Sequence, residues 1–116
     1  MSDARDDTCL FCRIVAGEIQ SEKLHETDTI LAFRDIDPQS PTHVLLIPKA
    51  HVRDLTKVTD DHGGVLADLM QAAAHLAVTE GLDHGWRLVA NVGLPKAVLH
   101  LHFHLLGGRA LGWPPG

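Results

Sequence analysis

The sequence predicts an α+β domain: an antiparallel sheet of about five strands, one short N-terminal helix and one long helix. Two periodicities carry this expectation. His100-Leu101-His102-Phe103-His104-Leu105-Leu106 alternates imidazole with apolar side chains, and period two is the repeat of a half-buried strand. Val65, Leu66, Leu69, Ala73, Leu76 and Ala77 fall on one stripe at helical spacing. A third observation is that the remaining apolar runs are short and bounded by Gly, Pro or acidic residues, with no repeat and no linker between them.

Taken in order, residues 1–7 read as a flexible tail and residues 8–116 as one domain. Thr8 is placed to cap a helix from Cys9 to about Ala16, with Leu10, Phe11, Ile14 and Val15 as its apolar face and Gly17 ending it. Lys23 to Glu26 and Thr29 to Arg34 read as a hairpin turned at Glu26-Thr27-Asp28. Pro38 and Pro41 make the segment from Asp35 to Thr42 a loop. His43-Val44-Leu45-Leu46-Ile47 reads as a buried strand stopped by Pro48. The long helix is expected from Asp60, weakened in its first turn by Gly63 and Gly64 and stopped by Gly81. Trp86 to Asn91 and Val98 to Leu106 are the last two strands, joined through Gly93-Leu94-Pro95-Lys96.

Composition narrows the function classes. Ten basic and 15 acidic residues give a formal charge of −5, with no basic run to hold a nucleic acid, so any nucleotide bound is a small one. No apolar stretch approaches a membrane span, and the polar, acidic start does not resemble a signal, so the expected compartment is the cytoplasm. Cys9 and Cys12 are the only cysteines. In a reducing compartment a C-x-x-C pair points to metal or redox chemistry more than to a structural disulfide.

Two Cys and two His make a tetrahedral zinc set, and His51 and His100 are the candidate partners of Cys9 and Cys12. Two reduced, partly buried thiols are the plainer alternative. For catalysis, neutral imidazole is a nucleophile and a proton carrier near neutral pH, and clustered histidines supply both the attack and the donors that a phosphoryl group needs. A lone histidine beside apolar residues is ordinarily packing. Three in strict alternation are a shared face. Asp35, between a strand and a loop, suits ribose hydroxyls, or equally a loop-initiating Asp that binds its own backbone.

The stretch Val98-Leu99-His100-Leu101-His102-Phe103-His104-Leu105-Leu106 resembles the His-φ-His-φ-His-φ-φ motif (φ apolar) of the histidine-triad nucleotide-binding family. Leu10-Phe11-Cys12-Arg13-Ile14, Phe33-Arg34-Asp35-Ile36, Pro41-Thr42-His43 and Ile47-Pro48-Lys49-Ala50-His51 are similar to that family's segments in its order. The tail from Gly107-Gly108-Arg109 to Trp113-Pro114-Pro115-Gly116 resembles the Hint branch. The resemblance implies a homodimer that binds purine nucleotides, AMP-like or GMP-like, and hydrolyses nucleoside phosphoramidates, phosphoanhydrides or acyl adenylates to release a nucleoside monophosphate. It implies that His102 is the nucleophile forming a nucleotidyl-histidine, that His104 stabilises phosphate oxygens or the departing group with His43 nearby, and that Asn91 orders the site. The implied base pocket is Leu10, Phe11, Ile14, Ile19, Phe33 and Ile36, with Asp35 on the ribose. Zinc-bearing members are similar at Cys9, Cys12, His51 and His100, a structural site, and Trp113 is implied near the dimer interface.

One segment departs from the pattern. Where the family usually carries Gly-Gln-Ser/Thr-Val against phosphate, this chain has Pro95-Lys96-Ala97-Val98, after a turn about two residues short. Ala97 lacks a hydroxyl and Pro95 lacks an N–H, leaving Lys96 as a point charge. Losing one preorganised donor reduces turnover by on the order of a hundred-fold. The alternative is therefore a zinc-stabilised nucleotide-binding module with little or no turnover. A weaker third reading, zinc activating water, requires an open coordination position.

Overall fold

A computed structural model describes residues 5–116. Residues 1–4 of the expected tail lie outside the described residues, and Arg5 pairs with Asp7 at 2.8 Å and Glu18 at 2.7 Å.

Helix α1 spans Leu10–Val15, and its cap is Cys9, not Thr8. The Thr8 amide and hydroxyl both bond Asp6 Oδ1, at 2.8 and 2.6 Å, so Thr8 is spent on the turn before the helix. Cys9 Sγ instead accepts from the Cys12 amide at 3.3 Å. Strands β1 (Lys23–Glu26) and β2 (Ile30–Arg34) form the expected hairpin. Strand β3 runs Thr42–Pro48 and is buried throughout, so Pro48 is its last residue and not the stop beyond it.

Helix α2 spans Gly63–Thr79. Its expected first turn from Asp60 is a separate 3-10 turn, Asp60–His62, held by a capping box in which the Thr59 amide donates to His62 Nδ1 at 2.9 Å. Gly63-Gly64 is a poor place to nucleate a helix, and the box supplies the start. Strand β4 is Trp86–Val89, two residues shorter than expected, and β5 is Phe103–Gly107. The expected strand from Val98 is thus corrected: its first five residues are not in the sheet. They bond elsewhere, the Leu101 amide donating to the Val52 carbonyl at 2.6 Å.

The sheet has order β1-β2-β3-β5-β4, every pair antiparallel. Alternation divides its side chains between two faces. Ile30, Ala32, Val44, Leu46, Phe103 and Leu105 pack with Leu69, Ala73 and Leu76 of α2. Leu31, Phe33, Leu45 and Ile47 pack with Phe11, Cys12 and Ile14 of α1. Gly107 closes β5 because a Cβ there would stand 2.7 Å from both Leu82 methyls. No helix among the described residues is long and apolar enough to cross a membrane.

Candidate functional site

Strand register builds the first half of the site. Leu45 of β3 pairs with His104 of β5 and His43 pairs with Leu106, so His43 and His104 are diagonal neighbours on the α1 face. His43 Nε2 lies 2.8 Å from His104 Nδ1 and 3.3 Å from Asp35 Oδ2. The Gln39 amide donates to His43 Nδ1 at 3.0 Å, which leaves the proton of neutral His43 on Nε2. That proton is donated to His104 Nδ1, and the His104 proton is accordingly on Nε2. Burial, and then the neighbouring His102 and His43, press the His104 pKa down to about 4 against the opposing Asp35 carboxylate. Burial also lowers His43, opposed by Asp35 and Asp37.

His102 lies just before β5. Its Nδ1–H donates to the His100 carbonyl at 2.6 Å, leaving Nε2 with a bare lone pair. Its ring is edge-on to Phe11 at 5.1 Å and to His104 at 5.0 Å. An open cleft of about 280 Å³ is lined by Phe11, Asp35, Leu45, Asn91, Leu94, Pro95, Lys96, Ala97, Val98, His102 and His104.

The third triad histidine lies on this same side of the sheet, earlier in the chain. Although the residues before Phe103 are outside the sheet, the alternation continues: Leu101 packs with Phe103 and Leu105 on the α2 face, and His100, on the common side expected, meets the cysteines beside α1. Its Nδ1 stands 3.3 Å from Cys9 Sγ, 3.6 Å from Cys12 Sγ and 3.3 Å from His51 Nδ1, while His51 Nδ1 is 3.3 Å from Cys12 Sγ. All four donor atoms lie within 4.8 Å of one another. Ligands on a zinc tetrahedron stand roughly 3.3 to 3.8 Å apart, from bond lengths of about 2.0–2.1 Å to nitrogen and 2.3 Å to sulfur. The donor set fits zinc. The tautomer fits too, since His100 Nε2–H donates to the Pro48 carbonyl at 2.8 Å, which turns the Nδ1 lone pair to the thiols. Burial lowers His100 to about 4 and raises the Cys9 thiol.

Asp35, His43 and His104 also cluster within 4.8 Å, a carboxylate with two imidazoles. The Gln39 amide argues against a metal there, because a ligating Nε2 would have to be unprotonated and Nδ1 would then carry a hydrogen facing the amide donor. One cluster is wired for metal, the other for hydrogen bonding.

The remaining expectations are met unevenly. Asp35 is a loop-initiating residue, Oδ1 accepting from the Asp37 amide at 2.8 Å, and it lines the cleft as well. Of the six apolar residues expected around a base, Phe11 lines the cleft, Phe33 packs edge-on to it at 5.7 Å, and Ile14 is buried behind. Ile19 packs half-buried on the same cluster. Leu10 and Ile36 do not line the cleft and are 44% and 98% exposed. Ile36 is displaced because the Asp35 turn sets it at its apex. Trp113 is 85% exposed. The sequence reading missed the Gln39 amide and the Pro48 carbonyl, which carry no side-chain signal, and Leu45, which reads as plain core.

Against known proteins, residues 8–111 match the family profile described as scavenger mRNA decapping enzyme C-term binding. A 14 kDa zinc-binding protein of Brassica juncea is 47% identical over 113 residues, covering 92% of this chain and 98% of that one. The adenylylsulfatase HINT1 of Arabidopsis thaliana is 45% identical over 117 residues, covering 96% of this chain and 78% of that one. A crystal structure of a HIT family hydrolase from Legionella pneumophila superposes with a TM-score of 0.90 at 50% identity, covering 93% of this chain and 99% of that one.

The chain belongs to the histidine-triad family.

Its fold is the histidine-triad fold, and its sequence is of the Hint-like kind. Within the histidine-triad motif, His102 and His104 face the cleft and His100 faces the Cys9-Cys12 pair. The chain thus presents two neighbouring sites: an imidazole cleft open to solvent, and a Cys2His2 cluster of three buried residues and half-buried His51.

Proposed function

We propose that the cleft is a nucleotidyl-transfer site that hydrolyses purine nucleoside phosphoramidates and related P–N or P–O compounds, releasing the nucleoside monophosphate. The observation that carries this reading is the tautomer chain: His102 is held with Nε2 bare, beside His104 carrying its proton on Nε2. His102 Nε2 forms a bond to phosphorus and the P–N bond breaks, the amine leaving with the electron pair and a proton taken from water at the open mouth. His104, kept neutral by its lowered pKa, donates its Nε2–H as a hydrogen bond to a phosphate oxygen without transferring it. Water then attacks phosphorus, the bond to His102 breaks, the imidazole recovers its electron pair, and the monophosphate leaves as the water proton passes to solvent. His43 and Asp35 orient His104, Asp35 also meets ribose hydroxyls, and Asn91 and Val98 complete the wall. Hydrolase and adenylylsulfatase names among the relatives support the reaction class.

Zinc, when bound, acts as a structural clip on Cys9, Cys12, His51 and His100. Four protein donors leave it no open position for water, which disfavours a catalytic zinc. The assembly we assign is a homodimer, supported by the unpaired edge of β4 and by exposed Trp86 and Trp113, 41% and 85%; light scattering at the mass of two chains tests it.

A second reading, a binding module with little turnover, is favoured by the cleft rim. Pro95 has no N–H, Ala97 has no hydroxyl, and the Ala97 amide is engaged by the Leu94 carbonyl at 3.4 Å. The deciding experiment is AMP release from adenosine 5′-phosphoramidate by wild type and His102→Ala, with mass spectrometry for a trapped adenylyl-histidine. Turnover that His102→Ala abolishes supports the enzyme. An inert wild type that binds AMP in a calorimeter leaves the binding module standing.

A further inference from the structure

The cleft rim supplies charge where a neutral donor set would supply directed hydrogen bonds. Lys96 is the only Lys or Arg among the residues lining the cleft. Its ammonium makes no ion pair or hydrogen bond among the described residues, whereas Lys23 and Lys49 both reach Glu26. Its backbone is also unusual: φ is 66°, and no other non-glycine described residue has positive φ. Pro95 and Lys96 are the two central residues of the turn closed by Ala97 N–H and Leu94 C=O, with Lys96 at the position that glycine ordinarily fills. Strained positions of this kind cluster at sites of function.

From this geometry we infer that Lys96 selects substrates by charge, so that the cleft favours a nucleotide whose departing group is itself an anion, such as sulfate, phosphate or carboxylate, over one that departs as a neutral amine. The inference rests on the nucleotidyl-transfer reading and names the substrate class within it. A hydroxyl or amide donor serves one phosphate oxygen whatever leaves. An ammonium has no fixed donor direction, and its attraction grows with each negative charge on the ligand. The chain as a whole carries a formal charge of −5 and Asp35 lies in the same cleft, so the local cation decides whether a second anionic group is admitted. For a nucleotidyl sulfate, His102 Nε2 bonds to phosphorus, the P–O bond breaks, and sulfate leaves with the electron pair and needs no proton, its charge met by Lys96.

The test compares kcat/KM for adenosine 5′-phosphosulfate and adenosine 5′-phosphoramidate, which share the nucleotide and differ in the departing group. It is run in wild type, in Lys96→Gly, which keeps the turn and removes the charge, and in Lys96→Arg, which keeps the charge and the strained backbone. The sulfate-to-amidate ratio should fall roughly fivefold or more in Lys96→Gly, the worth of one partly screened ion pair, mostly through KM for the sulfate, and be retained in Lys96→Arg. Added salt should shrink the wild-type ratio and leave that of Lys96→Gly unmoved. If wild type turns over either substrate and the ratio is the same in Lys96→Gly, the inference is overturned while the nucleotidyl-transfer reading stands. If wild type releases AMP from neither, both fall.

Discussion

Proton placement at single residues decides what each imidazole can do. His43 and His102 each spend Nδ1 on a backbone group, but one accepts from the Gln39 amide and the other donates to the His100 carbonyl. The first becomes a donor at Nε2 and the second a lone pair. The His104 titration follows from its surroundings, with His43, His102 and Asp35 facing it. Its pKa lies at about 4 against an ordinary 6.5. The unfolded chain therefore binds the proton first as pH falls, and the stability associated with the neutral ring is complete above the unfolded value and lost as pH drops from about 6.5 toward 4. Melting temperature should fall across that window, and His104→Gln should flatten the slope. A slope unchanged in His104→Gln would place the dependence elsewhere. At Lys96, relieving the left-handed backbone in Lys96→Gly should raise unfolding stability by about 1 kcal/mol, readable by chemical denaturation, even as charge selectivity is lost.

At the level of elements, the sheet positions the cleft by register. Ladder pairing starts at Phe103, yet the alternation persists before it: Leu101 packs with Phe103 and Leu105 toward α2, and His100 lies with the cysteines on the α1 side. The far end of β5 is constrained by Leu82: a methyl on Gly107 meets two of its carbons at 2.7 Å. Gly107→Ala should therefore lower stability by about 1 to 3 kcal/mol through overpacking, and Gly107→Ala with Leu82→Ala should recover part of the loss attributable to the clash. A double variant no better than expected from adding the two single losses would mean the contact is not the cause.

Across the whole molecule, the Cys2His2 cluster ties α1 to the segments that follow β3 and precede β5. Clips of this kind link metal binding to folding. Protein purified with its metal should carry one zinc per chain by elemental analysis, and a chelator should lower its melting temperature. Cys12→Ser should lose both the zinc and the response to chelator. An unchanged melting temperature on zinc removal would reduce the cluster to two buried thiols beside two imidazoles.

How far the sequence reached follows from the range of the interactions. Helix α2 and strands β1 to β3 were legible because periodicity and punctuation are local: apolar spacing chooses helix or strand, and Gly or Pro marks most ends. The ligand types Cys and His were legible for the same reason, as were His102 and His104. The base pocket was less so, because the exposure of Ile36 depends on an Asx turn that the sequence allows without requiring. What only the tertiary structure decided is which donors meet and which nitrogen of each ring carries a proton. His51 and His100 reach Cys9 and Cys12 across 39 to 91 residues, and no local spacing encodes that approach. The tautomers are fixed by the Gln39 amide and by the carbonyls of Pro48 and His100. Nearly every residue carries these backbone groups, so the side-chain alphabet gives no sign of which ones will be turned toward an imidazole; only the folded chain brings them there.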